Sequence, residues 1–222
     1  MLLTLEKTRL QVSKNTTAKK KSQLGQFFTP ARTAQYMAGL FYPTTQKVCR
    51  LLDPGAGIGS LSSAFLERCS AGNFVFGKVE ITAFELDDLL HADLEHTLTG
   101  YVGRVPVSYE IIGGDFIEKA VNRIQFGKSN GYSHAILNPP YKKINSDSRH
   151  RFLLRQTGIE TVNLYSAFVA LTLAMMAPGG QVVAIIPRSF LQWTVLPPLP
   201  QFSFRTSRYQ ADTLIQITQS GI

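Results

Sequence analysis

Cysteine is nearly absent. Cys49 and Cys69 are the only two, with no C-x-x-C and no Cys/His companion nearby, so neither a disulfide framework nor a zinc ribbon is expected. His91 and His96 lie five apart rather than the three or four that share a helix face, so no metal site is expected either. No uninterrupted apolar stretch reaches membrane-spanning length. Met1 to Lys21 carries basic residues without an apolar core, which excludes a secretory signal, and has too little Arg for a transit peptide. Internal repeats and low-complexity segments are missing. What remains is a globular chain with no membrane partner, expected in a reducing cytoplasm. Its 222 residues, 44% of them apolar, suffice for a substantial core.

Charge is plentiful but unevenly placed. Met1 to Arg50 carries +8, Leu51 to Ala135 carries −5, and the remainder carries +5. An acidic middle between basic ends suits a catalytic half set between surfaces that meet a polyanion, although the Lys19-Lys20-Lys21 run reads equally well as a solvated tail.

Residues 1–23 read as a basic polar arm with a short amphipathic helix at Leu2 to Val12. Leu24 to Pro30 then leads into a helical pattern from Ala31 to Leu40, with Thr29 as N-cap and Pro30 as first helical residue. Phe27 and Phe28 ahead of it form either a hydrophobic staple or one wall of a ligand pocket. Val48 to Leu52 is a buried strand running into Asp53-Pro54-Gly55-Ala56-Gly57-Ile58-Gly59, and a helix follows with Leu61, Phe65, Leu66 and Cys69 on one side. Strand, glycine loop and helix describe the first unit of a doubly wound sheet. The spacing is G-x-G-x-G rather than G-x-G-x-x-G, and no Walker lysine follows, which argues against a nicotinamide oxidoreductase on the same fold. Asp53 at the strand end repels phosphate and suits a cationic ligand.

Val79 to Phe84 is the second strand; Glu85 at its end is placed to accept both hydroxyls of a ribose, with Leu86 beside it, while Asp87 and Asp88 start the next helix. Val107 to Ile112 is the third. After it Asp115 is either an acceptor for an exocyclic adenine amine, with Phe116 packed on the ring face, or an Asx turn. Tyr132 to Leu137 is the fourth strand and ends in Asn138-Pro139-Pro140-Tyr141. The two prolines stiffen the turn. The tetrapeptide offers the Asn138 amide oxygen, the Pro139 carbonyl and the flat Tyr141 ring, a set suited to gripping a planar amino group. The segment from Tyr141 to Glu160 is long and basic, with Lys142, Lys143, Arg149, His150, Arg151 and Arg155, as a phosphate backbone would require. Leu164 to Met176 reads as a buried helix, with Met175 and Met176 in the core, and Gln181 to Ile186 as the fifth strand. Beyond Trp193 the character changes: Pro197, Pro198 and Pro200 crowd together, and only Leu214 to Ile217 alternates like a strand.

These motifs, in this order, resemble the S-adenosylmethionine-dependent N6-adenine DNA methyltransferases of restriction–modification systems, in the branch whose cofactor motifs come first and whose recognition domain comes last. The match runs from about Gly25 to Phe190. The resemblance implies an α/β, doubly wound, mostly parallel sheet of the Rossmann-like class I methyltransferase type, with a catalytic domain at 24–192. It implies S-adenosylmethionine held by Phe28, Thr29, Pro30, Asp53, Gly55, Ala56, Gly57, Glu85, Leu86, Asp115 and Phe116. It gives Asn138, Pro139, Pro140 and Tyr141 as the catalytic set, double-stranded DNA as partner, and a cognate restriction endonuclease system nearby. The family continues past the fifth strand with two more strands and a recognition domain. Residues 193–222 read instead as an atypical tail, so the sheet is expected to be incomplete at its C-terminal edge and the chain truncated near Trp193. Two other outcomes follow from the same motifs: a cofactor-binding fragment that needs a partner, and a protein-glutamine or RNA amine methyltransferase.

Overall fold

The computed structural model describes residues 2–15, 28–127, 131–186, 202–209 and 212–219; for the last two segments the description is of backbone pairing. The strands are β1 Val48–Pro54, β2 Lys78–Glu85, β3 Val107–Gly113, β4 Tyr132–Leu137, β5 Met176–Ile186, β6 Phe202–Tyr209 and β7 Asp212–Gln219. Between them lie α1 Leu2–Asn15 and α2 Ala31–Gly39 ahead of β1, then α3 Ser60–Ser70, α4 His91–Thr99, α5 Phe116–Gln125, α6 Arg149–Gln156 and α7 Leu164–Ala174.

All seven strands join one sheet in the order β3-β2-β1-β4-β5-β7-β6. The first five run parallel, and β7 is antiparallel to both β5 and β6. The chain leaves β1 toward β2 on one side and returns to β4 on the other, which makes the carboxyl ends of β1 and β4 the switch point where such sheets bind ligands. The expectation of an incomplete C-terminal edge is corrected here. Residues 202–219 supply two further strands: β7 pairs along β5 from Gln181↔Thr218 to Ile186↔Thr213, and β6 pairs along β7 from Phe202↔Gln219 to Tyr209↔Asp212.

Helices cover both faces of the central strands, so β4 and the Gln181 to Ile186 part of β5 are buried throughout, whereas β2 and the edge strand β3 keep polar, more exposed residues such as Glu80, Ser108 and Glu110. Alternation then divides the core in two. Leu51, Ile136, Val183 and Ile185 point to the layer shared with α2, α3 and α4, whereas Leu52, Ala135, Leu137, Val182 and Ala184 point to the layer shared with α5 and α7. Met175 and Met176 lie in the second layer as expected, and the buried strand Tyr132–Leu137 matches its sequence boundaries. In the first layer His134 is ringed edge-on by Phe41, Phe65, Phe74 and Phe76, with centroids 5.4–5.7 Å away. Its Nδ1 meets Ser133 Oγ at 2.9 Å, and burial pushes the imidazole down to about 4, so it packs as a neutral ring.

Within the amino-terminal arm, Leu2–Asn15 is helical and docked, with Leu5 buried. Its Glu6 reaches across 25 residues to accept the Ala31 N–H at 3.0 Å, while also holding Arg9 at 2.7 Å. That contact corrects the capping assignment: Pro30 occupies the N-cap position of α2, and the first free amide is satisfied by Glu6 rather than by Thr29. The Thr29 hydroxyl is directed elsewhere, as shown below. Residues 16–27, which include the Lys19-Lys20-Lys21 run and the Gly25 to Phe27 part of the first motif, lie outside the described residues, as does the Pro-rich stretch 197–200. Among the described residues no helix is long and apolar enough to cross a membrane, and no cluster of His, Cys, Asp and Glu could hold a metal ion.

Candidate active site

Four neighbouring strands deliver the predicted residues to one edge of the sheet. β1 ends at Asp53 and the glycine loop, β2 at Glu85, β3 just before Asp115, and β4 just before Asn138. The loop is folded tightly against β2, because Gly55 N–H and Ala56 N–H both donate to the Phe84 carbonyl, at 2.9 and 2.8 Å. Two glycines are required by shape. Gly59 is left-handed at φ 84°, and an added Cβ would stand 3.0 Å from Leu94 Cδ1 and 3.1 Å from Thr97 Cγ2. Gly57, at φ 58°, faces the ring of Phe28, whose Cδ1 would lie 3.4 Å from such a Cβ. Phe28, Thr29, Gly55, Gly57, Ile58 and Asn138 thus line one pocket at the switch point. A broader depression of about 550 Å³ between Lys78, Arg104 and Ser108 lies at the opposite end of β2 and β3 and contains none of the predicted residues.

Asn138 donates its Nδ2–H to Thr29 Oγ1 at 3.2 Å. With Thr29 only 6% exposed, this bond ties the tetrapeptide to the segment before α2. Pro139 is buried, Pro140 half-buried, and Lys142 N–H closes the turn onto the Pro140 carbonyl at 3.2 Å. The Tyr141 ring stands edge-on to Tyr165, centroids 6.1 Å apart.

Asp53 is fully buried. Its Oδ2 accepts from Ser62 Oγ at 2.6 Å and from Ser62 N–H at 3.3 Å, whereas Oδ1 has no hydrogen-bond partner among the described residues. Burial pushes its carboxyl up to about 7, the Ser62 hydrogen bonds pull the other way, and the charge of Glu85 adds to the rise. Glu85 is raised as well, chiefly by burial, despite accepting Asp87 N–H at 2.8 Å and Gly57 N–H at 2.7 Å. Neither acid has an ion-pair partner among the described residues. Two carboxylates buried behind the glycine loop, one with an oxygen that has no partner among the described residues, are costly to ionise, a cost that a positive charge in the adjoining pocket would relieve.

Asp115 serves as N-cap of α5, its Oδ1 accepting Glu118 N–H at 3.1 Å, so the Asx-turn role is real. Phe116 departs from expectation. Its ring is 4% exposed and packs in the core against Phe84 and Phe168, at 5.1 and 4.7 Å, because the first turn of α5 faces the sheet rather than the pocket. Leu86, at 48% exposure, is the apolar side chain left open beside Glu85, and Pro30 is exposed at the head of α2. Residues that sequence reasoning did not assign to the site are Ser62, which braces Asp53, and His150, whose Nε2 lies 3.0 Å from Asp115 Oδ2. The basic segment after the tetrapeptide contains α6, and its arginines are engaged: Arg149 with Glu118 at 2.9 Å, and Arg151 and Arg155 with Glu160 at 2.9 and 2.8 Å. The Arg149 and Arg155 pairs are exposed and weak enough to exchange for phosphates, whereas Arg151 is largely buried and also donates to the Thr161 carbonyl.

The strand order, with an antiparallel seventh strand inserted before the sixth, and the glycine loop after β1 are those of the Rossmann-like class I methyltransferase fold. A chain from Listeria monocytogenes assigned to the class I S-adenosylmethionine-dependent methyltransferases has the same fold, with a TM-score of 0.57 at 14% identity over 86% of this chain and 59% of that one. More narrowly, the chain belongs to the Eco57I restriction-modification methylase family, whose model matches residues 82–221. It is 48% identical over 196 residues to the type II methyltransferase M.BsuBI of Bacillus subtilis, covering 86% of this chain and 38% of that protein. It is 34% identical over 215 residues to M.PstI of Providencia stuartii, covering 88% and 42%. The chain therefore spans about two fifths of the length of these relatives.

Proposed function

We propose that this chain is the catalytic part of a site-specific DNA methyltransferase that methylates the N6 amine of adenine. The observation that carries this reading is the junction of Asn138 and Thr29 beside the glycine loop, which puts an amine-gripping tetrapeptide and a cation-favouring site at one sheet edge. S-adenosylmethionine, when bound, supplies a methyl group on a positively charged sulfonium. The residues fit that ligand. The orphaned Asp53 oxygen and the raised Glu85 favour its positive charge. Each Glu85 oxygen keeps a second lone pair for the ribose hydroxyls. Asp115 takes the adenine amine, and Phe28, Thr29, Pro30, Gly55, Ala56, Gly57 and Leu86 complete the walls. Phe116 supports Asp115 from the core.

Adenine N6 is a poor nucleophile because its lone pair is delocalised into the ring. Asn138 Oδ1 and the Pro139 carbonyl accept its two hydrogens and aim the lone pair out of the ring plane, with Pro140 stiffening the turn and Tyr141 stacked on the base. The bound cofactor would supply the methyl group, its S–C bond breaking as the N6–C bond forms, and one N6 hydrogen would leave as a proton to water. Positioning and electrostatics suffice, with no strong base. Inside a duplex the amine is out of line, so the base is flipped out, and the basic segment around α6 holds the backbone. The two free cysteines, Cys49 buried, suit the reducing cytoplasm in which a restriction–modification pair would work.

Tritiated methyl transfer to unmethylated genomic DNA, with digestion to locate the label, tests the reading. Asn138→Ala is expected to lower transfer by at least about a hundredfold while leaving S-adenosylmethionine binding within a few-fold. Unchanged turnover, or label on RNA or on cytosine instead of adenine, would overturn it.

A further inference from the structure

Asp115 is held at both oxygens. Its Oδ1 caps α5 through Glu118 N–H, and its Oδ2 meets His150 Nε2 at 3.0 Å from across the gap to α6. The two side chains are partly buried, 29% and 35% exposed, so the contact is neither a solvated surface pair nor a core pair. Asp115 also sits where a base would be read. β2 and β3 pair Glu85 with Gly113, and Gly114 N–H donates to the Glu85 carbonyl at 3.2 Å, which places Asp115 at the same edge as the ribose-binding acid. His150 lies in the first turn of α6, whose N-cap Ser148 accepts Arg151 N–H at 3.4 Å. That helix follows the tetrapeptide in the chain.

We propose that His150 is a positioning residue of the cofactor's adenine subsite: by fixing the Asp115 carboxylate as an acceptor, it sets a preference for a 6-amino purine over a 6-oxo purine. The inference rests on the reading that Asp115 faces the base of the cofactor. A carboxylate is acceptor-only, with two lone pairs per oxygen, so Oδ2 can hold the imidazole N–H and one hydrogen of an exocyclic amine together. A 6-oxo purine presents a carbonyl at that place, acceptor against acceptor, and is rejected. The preference lasts only while the carboxylate is charged and its plane is fixed. Burial acts to raise Asp115, and the His150 and Glu118 hydrogen bonds outweigh it and hold the carboxyl below the usual range. His150 is raised in turn by Asp115, against burial and against the nearby charges of Arg149 and Lys142; Glu118 faces the same cluster through its pair with Arg149.

The test is a calorimetric comparison of S-adenosylhomocysteine with its deaminated analogue S-inosylhomocysteine, on the full chain and on His150→Ala, His150→Gln and Asp115→Asn. The quantity read is the ratio of the two affinities. The wild type prefers the adenosyl ligand. His150→Ala lowers the ratio by about tenfold, the loss of one charge-assisted hydrogen bond. His150→Gln, whose amide can stand in for Nε2–H, keeps it within about threefold. Asp115→Asn abolishes the preference. Should His150→Ala not fold, His150→Phe keeps the ring volume without the donor, and the same loss is expected. A ratio unchanged in the Ala or Phe variant while Asp115→Asn removes it would sink the role of His150 and leave the adenine site standing. An unchanged ratio in Asp115→Asn, or a wild type that binds neither ligand, would take the adenine site down with it.

Discussion

Asp53→Asn separates what the site costs the fold from what it does for the ligand. Asp53 is wholly buried, with one orphaned oxygen and with Glu85 as a like-charged neighbour. Its carboxyl stands at about 7 in the folded protein, against roughly 3.9 when unfolded. A folded value above the unfolded one means that stability is fully present below the unfolded value and lost as pH rises through the folded one. Asp53 therefore makes the free protein less stable at pH 8 than at pH 5. The gap of about three units sets an upper bound of about 4 kcal/mol. Asparagine has the same shape, keeps an acceptor for Ser62 and carries no charge. At pH 8 we expect Asp53→Asn to be more stable by about 2 kcal/mol, allowing for weaker hydrogen bonds from Ser62 to a neutral acceptor. That is about a 1 M rise in the urea midpoint. At pH 5, where the folded carboxyl already holds its proton, the gain should shrink to a third or less. S-adenosylmethionine affinity should meanwhile fall by at least about tenfold, the stability–activity exchange expected of a strained site. Urea titrations at the two pH values, with calorimetry of ligand binding at pH 8, measure all three. A gain independent of pH, or a loss of stability at pH 8, would refute the argument that Asp53 is a buried charge awaiting a cation.

Two further perturbations probe the scaffold. Gly59→Ala forces a left-handed residue to carry a Cβ 3.0 Å from Leu94 Cδ1, and the strain and overpacking together should cost about 1–3 kcal/mol in denaturant unfolding; an unchanged midpoint would show that the loop relaxes. Glu6→Ala removes the acceptor of Ala31 N–H and the partner of Arg9, and a loss of about 1 kcal/mol, largely restored in Glu6→Gln, is expected by thermal unfolding. A variant as stable as wild type would mean that water caps α2 as well as Glu6 does.

What the sequence made visible was local. Both faces of β4 are covered, so Tyr132 to Leu137 is buried at every position and its apolar run Ala135-Ile136-Leu137 shows without any structure. Asp53, Glu85, Asp115 and Asn138 each follow such a run and could be assigned to a sheet edge by adjacency alone. Their partners could not. Asn138 and Thr29 are 109 residues apart, Glu6 and Ala31 are 25 apart, and Asp53 finds Ser62 only because the glycine loop turns the start of α3 back over the strand. No local pattern reports such contacts, and so the bond between Thr29 and Asn138, the bracing of Asp53 by Ser62 and the contact of His150 with Asp115 pass unnoticed. Phe116 misleads for a related reason: the first helical position after a strand can face solvent or core, and only packing against Phe84 and Phe168 decides. In the tail, prolines ahead of Phe202 and the polar residues alternating along β6 hide a strand that pairs with its hairpin neighbour β7 and reaches the rest of the sheet only through β7's pairing with the distant β5.

The order of the last three strands bears on how the chain is made. β7 is synthesised after β6 yet lies inside it, between β6 and β5. While the protein emerges from the ribosome, the edge of β5 has no correct neighbour until Asp212–Gln219 has appeared, and β6 cannot dock ahead of it. For that interval Gln181 to Ile186 presents an apolar run with open backbone hydrogen bonds to any passing strand. A nascent chain stalled before Asp212 would keep that edge of β5 unpaired and is expected to aggregate more readily than one that has passed Gln219.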